Sequence, residues 1–157
     1  MRIPIVNEKD EIIGYKERED RNPQDISRCT GLWVADKEGN IFLAQRALGK
    51  KHDPGLWGPA VGGTVEEGET YESNIFKEAR EEIGLVNMSF NFINKILVHN
   101  CVAKFYSVVV DHDYKFVKQD SEVENIKWFS REELNKLLEE KPEMFQKDFK
   151  KIIELFK

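Results

Sequence analysis

An α+β fold, with a mixed sheet covered by helices, is what this sequence predicts. The order of patterns carries that reading: two β-hairpins, a strand-loop-helix unit, a third hairpin, one more strand and two helices. Strands that follow one another through turns give antiparallel pairs, while the helices fall between and after them, so neither an all-β nor an all-parallel layout fits. The periodicity also switches from alternation to a helical stripe after about residue 130.

Ile3–Val6 and Ile12–Lys16 are short extended runs around the polar tetrad Asn7-Glu8-Lys9-Asp10, an edge hairpin over residues 1–17. Residues 17–26 form a polar loop containing Pro23, with no periodic pattern. Cys29–Ala35 and Ile41–Gln45 flank Asp36-Lys37-Glu38-Gly39-Asn40, a turn in which Gly39 supplies positive φ. Trp33 in this second hairpin reads as core. Gly58–Val65 reads as one strand, where Gly62 and Gly63 let backbone approach a ligand with no Cβ between.

The helix at residues 71–83 is bracketed by Thr70 as N-cap and Gly84 as C-cap. Ile75, Phe76, Ala79 and Ile83 share its expected core face, and Glu78, Glu81 and Glu82 lie on the adjoining arc. Like charges at i, i+3 and i+4 repel, so helix stability alone would interleave Lys here. A solvated acidic face is the plain reading of such a cluster. A carboxylate cage for a hard cation such as Mg²⁺ is the functional one, and the glycine loop just before the helix favours it.

Phe90–His99 and Cys101–Val110 are β-rich, with Phe105 and Tyr106 read as core. His112, between Asp111 and Asp113, reads as a solvated turn, with metal binding as the alternative. Residues 120–129 lead into the last strand, and Ser130 with Glu133 forms a capping-box pattern that opens a helix through about Glu139. Pro142 introduces a second helix carrying Phe145, Phe149, Ile152, Ile153 and Phe156 as a packing stripe. The C-terminal helices thus occupy about residues 130–157.

A single domain over residues 1–157 is long enough to bury a core. The net charge of −5 argues against a general nucleic-acid binder, which needs a basic footprint. It leaves room for a small anion, because divalent metals invert the local field of an acidic site. No apolar run is long enough to span a bilayer and the N-terminus has no apolar export segment, so a cytoplasmic, non-membrane protein is expected. Cys29 and Cys101 read as buried thiols rather than a disulfide framework.

Gly63, five residues, Glu69, seven residues and then Lys77-Glu78-Ala79-Arg80-Glu81-Glu82-Ile83-Gly84-Leu85 resembles the Nudix box, the signature of the Nudix hydrolase superfamily. The match spans residues 63–85, with Lys77 standing where the family pattern has Arg. The resemblance implies a Nudix-like α/β/α sandwich with a mixed β-sheet and a loop-helix-loop catalytic motif. It further implies a pyrophosphatase-type hydrolase acting on acid anhydrides. Such an enzyme uses Mg²⁺ or Mn²⁺ to cleave the diphosphate link of a nucleoside diphosphate-type substrate by water attack at phosphorus.

On that resemblance, Glu78, Glu81, Glu82 and the Gly63 carbonyl would be metal ligands. Glu122, six residues before Trp128, matches a further glutamate of the family, and either Glu78 or Glu122 would be the base. Arg46, Lys50 and the Pro54-Gly55-Leu56-Trp57 turn resemble the Nudix branch that includes isopentenyl diphosphate isomerase, where an Arg and a Lys so spaced hold the diphosphate. A guanidinium can grip phosphate through two parallel hydrogen bonds. Trp57 is a candidate stacking platform for a base, while Lys51 and His52 read equally as a solvated loop.

The isomerase itself needs a Cys and metal-binding His residues, and the aligned positions are Gly62 and Thr64. A non-catalytic, nucleotide-sensing module is the remaining alternative; Lys77 speaks for it and the three retained glutamates against it. The resemblance implies a small-molecule diphosphate as partner and leaves a homodimer open.

Overall fold

The computed structural model describes residues 1–154 and 156. β1 (Arg2–Val6) and β2 (Ile12–Glu17) form a separate antiparallel hairpin, followed by a 3₁₀ turn at Arg18–Asp20. Next come β3 (Ser27–Ala35), β4 (Ile41–Arg46), β5 (Trp57–Pro59), β6 (Val61–Thr64) and α1 (Tyr71–Ile83). β7 (Asn91–Val98), β8 (Cys101–Val109), β9 (Val123–Phe129), α2 (Arg131–Glu140) and α3 (Phe149–Glu154) complete the chain.

β3 and β4 pair only beside their connecting turn, at Val34 with Phe42 and Ala35 with Ile41, and then splay apart. The wedge between them is filled by the segment that the sequence predicts as one strand. It is two: β5 pairs with β4, and β6 pairs with β3. The physical reason is hydrogen-bond supply, since one short strand cannot satisfy two diverging edges, and backbone groups buried in the wedge need partners. β8 lies parallel on the other edge of β3, β7 antiparallel to β8, and β9 antiparallel to β4, which makes the sheet mixed.

Alternation along the strands sorts two cores. Leu32, Val34, Phe42, Val61 and Val108 face α1, where Ile75, Ala79 and Ile83 are fully buried. Trp33, Ile41, Leu43, Phe105 and Phe129 face the other way, onto Leu134 and Leu138 of α2 and Phe149 and Ile153 of α3. Gly31 is needed between them, because a Cβ there would meet the Phe105 ring at 2.6 Å. The result is the expected α/β/α sandwich, with α1 alone on one face.

Three further expectations change. Phe76 is 45% exposed and stacks on Phe90 at 4.7 Å, while Tyr71, Asn74 and Glu82 are buried. The buried stripe of α1 runs through Tyr71, Ile75, Ala79 and Ile83 and turns toward the acidic arc, not away from it. The second C-terminal helix does not start at Pro142. Pro142–Met144 is a 3₁₀ turn, Phe145 is extended, and the Gln146 N–H bonds the Trp57 carbonyl at 2.8 Å, giving β5 an outer partner before α3 begins. Leu155 and Lys157, at the end of the expected helix, lie outside the described residues. Finally, Cys29 and Cys101 are joined as a disulfide, because the parallel register of β3 and β8 brings their Cα atoms to 6.1 Å.

Candidate active site

α1 is fixed at both ends before any carboxylate is placed. The Thr70 hydroxyl accepts from the Ser73 N–H at 3.0 Å and the Ser73 hydroxyl accepts from the Thr70 N–H at 2.9 Å, a reciprocal capping box. Gly84 ends the helix at φ 70°, where its N–H reaches the last turn. Asn74, fully buried, pins the helix laterally. It accepts from Thr30 at 2.6 Å and donates to the Thr64 carbonyl at 3.0 Å and to Glu69 at 3.3 Å. α1 therefore has one rotational setting relative to β3 and β6.

That setting drives Glu82 inward. The residue is 8% exposed, and its carboxyl accepts from the Gly62 N–H at 3.4 Å. Burial, with the charge of Glu78 beside it, pushes the Glu82 pKa up to about 8 against that hydrogen bond. Glu78 lies with its stem across Gly63, where a Cβ would come within 2.5 Å of the Glu78 Cγ. Burial raises the Glu78 pKa too, opposed by Lys77. Glu81 is exposed at the rim.

Lys77 occupies the position of the family's Arg and works as a three-way clamp. Its ammonium lies 2.9 Å from Glu69, 3.0 Å from Glu66 and 3.6 Å from Glu78. Burial alone would lower its pKa, but the Glu69 and Glu66 hydrogen bonds outweigh it and hold Lys77 above the ordinary value. Three donors on one ammonium replace a planar fork.

The loop after β8 brings in the remote glutamate. The Val117 N–H bonds the Ile83 carbonyl at 3.0 Å and the Gln119 N–H bonds the Glu82 carbonyl at 2.9 Å, capping the C-terminal end of α1. This draws Glu122 close enough for its charge to raise Glu82 further, while Lys50 opposes it. Lys50 Nζ lies 2.5 Å from Glu122 Oε2, and the Ala47 N–H holds the Glu122 carbonyl at 3.0 Å. Arg46 stands at the same end of β4, with its Nε–H donating to the His52 carbonyl at 2.8 Å. Gly63, Glu78, Glu82, Glu122 and Lys50 are thus gathered together, with Glu81 at the edge. Trp57 is not among them: its ring packs edge-on to Phe129 at 5.3 Å, in the layer of α2 and α3.

Among the described residues, Asp36, Glu38 and His112 are the group whose ligand-capable atoms fall within 4.8 Å of one another. They sit at the opposite end of β4. Asp36 there holds a turn, accepting from the Glu38 and Asn40 N–H groups, the Asn40 side chain and His112. His112 lies in an exposed turn, as the sequence reading has it, and its ring also stacks on Trp128 at 5.0 Å.

The NUDIX domain family model matches residues 26–155. This chain belongs to the Nudix family. It is 29% identical over 162 residues to an isopentenyl-diphosphate Delta-isomerase of Photorhabdus laumondii, covering 96% of this chain and 89% of that protein. An uncharacterized Nudix hydrolase of Streptomyces coelicolor is 35% identical over 83 residues, 52% of this chain and 46% of the relative, so this Nudix chain matches only about half of that protein. In structure it resembles DR0079 of Deinococcus radiodurans, with a TM-score of 0.86 at 21% identity over 98% of both chains. The Nudix domain of Shewanella oneidensis NrtR, solved with ADP ribose, aligns at TM-score 0.63 and 18% identity, covering 90% of this chain and 91% of that one.

Two supporting residues of this candidate site, Asn74 and Glu66, are invisible in the box pattern alone. Asn74 falls in the unconstrained seven residues before Lys77, and Glu66 in the five after Gly63. The one available signal was an Asn in the middle of a helix, a poor helix former that implies a buried hydrogen-bonding task.

Proposed function

We propose that this Nudix protein is a cytoplasmic, metal-dependent hydrolase that cleaves the diphosphate link of a nucleoside diphosphate-type substrate by attack of water at phosphorus. One observation carries the reading: a buried carboxyl at Glu82, pushed up to about 8, with Glu122 near it and Glu78 beside it, filling the space that a Cβ at Gly63 would take. The donor set fits a hard divalent cation, since it is all oxygen, rich in negative charge, and cradled where a Cβ at Gly63 would collide with Glu78. Glu78, Glu81, Glu82 and the Gly63 carbonyl would hold Mg²⁺ or Mn²⁺. Bound there, the cation would supply neutralisation of the diphosphate charge and activation of the attacking water.

The chain's own groups do the rest. Glu122 or Glu78 takes the water's proton, and Glu78 is held with its stem across Gly63. Lys77 keeps that carboxylate in one orientation by gripping it together with Glu66 and Glu69. Glu122 adds negative charge on the cation side, and Arg46 and Lys50 bind the anionic end of the substrate. The Lys77 clamp supports a catalytic over a purely sensing site, because a sensor has no need of an oriented base.

The isomerase relative favours a second reading, isoprenoid diphosphate isomerisation. Gly62 and Thr64 at the expected Cys and His positions weigh against it. The deciding experiment is chromatographic detection of the phosphomonoester, phosphate or pyrophosphate products of P–O–P cleavage across nucleoside triphosphates, ADP-ribose, dinucleotides, nucleotide sugars and isoprenoid diphosphates, with Mg²⁺ or EDTA. Mg²⁺-dependent turnover that collapses in Glu82→Gln is the expected result. Tight Mg²⁺-dependent binding of one compound with no product would replace the hydrolase by a sensor, and double-bond migration without P–O–P cleavage would replace it by the isomerase.

A further inference from the structure

The hydrolase reading assigns Lys50 and Glu122 to opposite ligands, an anion for Lys50 and the cation side for Glu122. Here they pair with each other, Nζ to Oε2 at 2.5 Å, with side chains 25% and 38% exposed. Both lie within the field of the buried Glu82, Glu122 adding to its burden and Lys50 relieving it. The backbone around the pair is already tied down. The Ala47 N–H bonds the Glu122 carbonyl at 3.0 Å, the Lys50 N–H bonds the Ala47 carbonyl at 3.2 Å, and bonds between Arg46 and both Leu56 and Gly55 close the loop base. What is free to swing is the four-carbon stem of Lys50, next to the exposed Leu48 and Gly49. Arg46 has no such freedom, with its Nε–H committed to the His52 carbonyl.

We propose that Lys50 is a resident counter-cation, which a divalent cation must displace from Glu122 and which a diphosphate helps to remove by taking over the ammonium. The inference rests on the metal assignment made above and adds a rule of order to it. Cation and anion each raise the other's affinity, because either one breaks the pair that blocks its partner. A cation arriving alone meets a positive charge already seated on Glu122. An anion arriving alone must strip Lys50 from a carboxylate that then stays uncompensated beside Glu82, which is costly in a partly buried setting.

The test is Mn²⁺ binding, followed by electron paramagnetic resonance of the free ion, in Lys50→Met, Lys51→Met, Glu122→Gln and the Lys50→Met/Glu122→Gln double variant. Lys50→Met is expected to tighten Mn²⁺ binding about fivefold, the low end for coupled sites. Lys51→Met removes the same charge from an exposed neighbour and is expected to change affinity by less than about twofold, as unpaired surface charges do. In the Glu122→Gln background the gain from Lys50→Met disappears, which isolates the pair from bulk charge. Methylenediphosphonate, which resists hydrolysis, tightens Mn²⁺ more in the unaltered protein than in Lys50→Met. Equal shifts in Lys50→Met and Lys51→Met, or a gain that survives Glu122→Gln, would overturn the exchange while leaving the hydrolase intact. Absence of saturable Mn²⁺ binding in the unaltered protein would overturn the metal assignment and the exchange with it. None of these readings needs turnover.

Discussion

At the residue scale, the proposed chemistry rests on Glu82 and Gly63. The Glu82 pKa is about 8 in the folded chain against 4.5 when solvated, so the folded state keeps a proton that the unfolded state has released. Stability therefore falls as pH rises from about 4.5 toward 8, and the penalty is fully present above the folded value. In EDTA, Glu82→Gln should be more stable than the unaltered protein at pH 8, by up to ~4 kcal/mol, and nearly level with it at pH 5. Calorimetry at the two pH values checks this, and an equal gain at both would mean that packing, not charge, is responsible. Gly63→Ala tests the cradle. Its Cβ would sit 2.5 Å from the Glu78 Cγ, whereas a Cβ at Gly62 meets only the Thr30 carbonyl at an ordinary 3.6 Å. We expect Gly63→Ala to lose about 10–100-fold in metal affinity, as misplaced metal-site residues do, with Gly62→Ala folding normally. Metal titration of both proteins decides it.

At the scale of an element, α1 has one end that serves stability and one that also serves the site. Thr70→Ala removes the N-cap and should cost ~1 kcal/mol in urea unfolding without altering Mn²⁺ affinity. Gly84→Ala acts at the other end, where φ is 70° and a Cβ would press on Val117 at 3.3 Å. It should cost about 1 kcal/mol or more and also weaken Mn²⁺ binding, because Val117 and Gln119 are what hold the Glu122 loop against the helix. Equal metal affinities in the two variants would show that the loop is positioned by something else. The caps themselves were legible in the sequence. The rotation of α1 was not, since Phe76 fits an apolar stripe as well as Tyr71 does, and only the Asn74 bonds to Thr30 and Thr64 choose between them.

The whole molecule separates support from chemistry by faces of the sheet. Trp33 is 1% exposed, stacked on Phe156 at 5.3 Å and edge-on to Phe149 at 5.7 Å, all on the side away from the carboxylates. Trp33→Ala should cost ~3–5 kcal/mol of stability, yet leave Mn²⁺ affinity of the folded protein unchanged at low temperature. A loss of affinity alongside stability would show that the two faces are mechanically coupled. The same division accounts for Trp57. Its place in the turn after Lys50 made it a candidate stacking platform, but strand alternation pairs it with Gln45 and turns its ring onto Phe129. Chain proximity and face are independent in a strand, because successive side chains point opposite ways.

What the sequence by itself determined is the local chemistry: the caps of α1, the glutamates at helical spacing, the glycines before them and the alternation that sorts two cores. Each follows from backbone preference or periodicity within a few residues. Only the tertiary structure decided the splitting of residues 57–64 into β5 and β6, the extended Phe145, the Cys29–Cys101 bond and the meeting of Glu122 with Glu82 and Lys50. These depend on groups far apart in the chain finding partners at diverging strand edges and a helix end, and no window of sequence contains both partners.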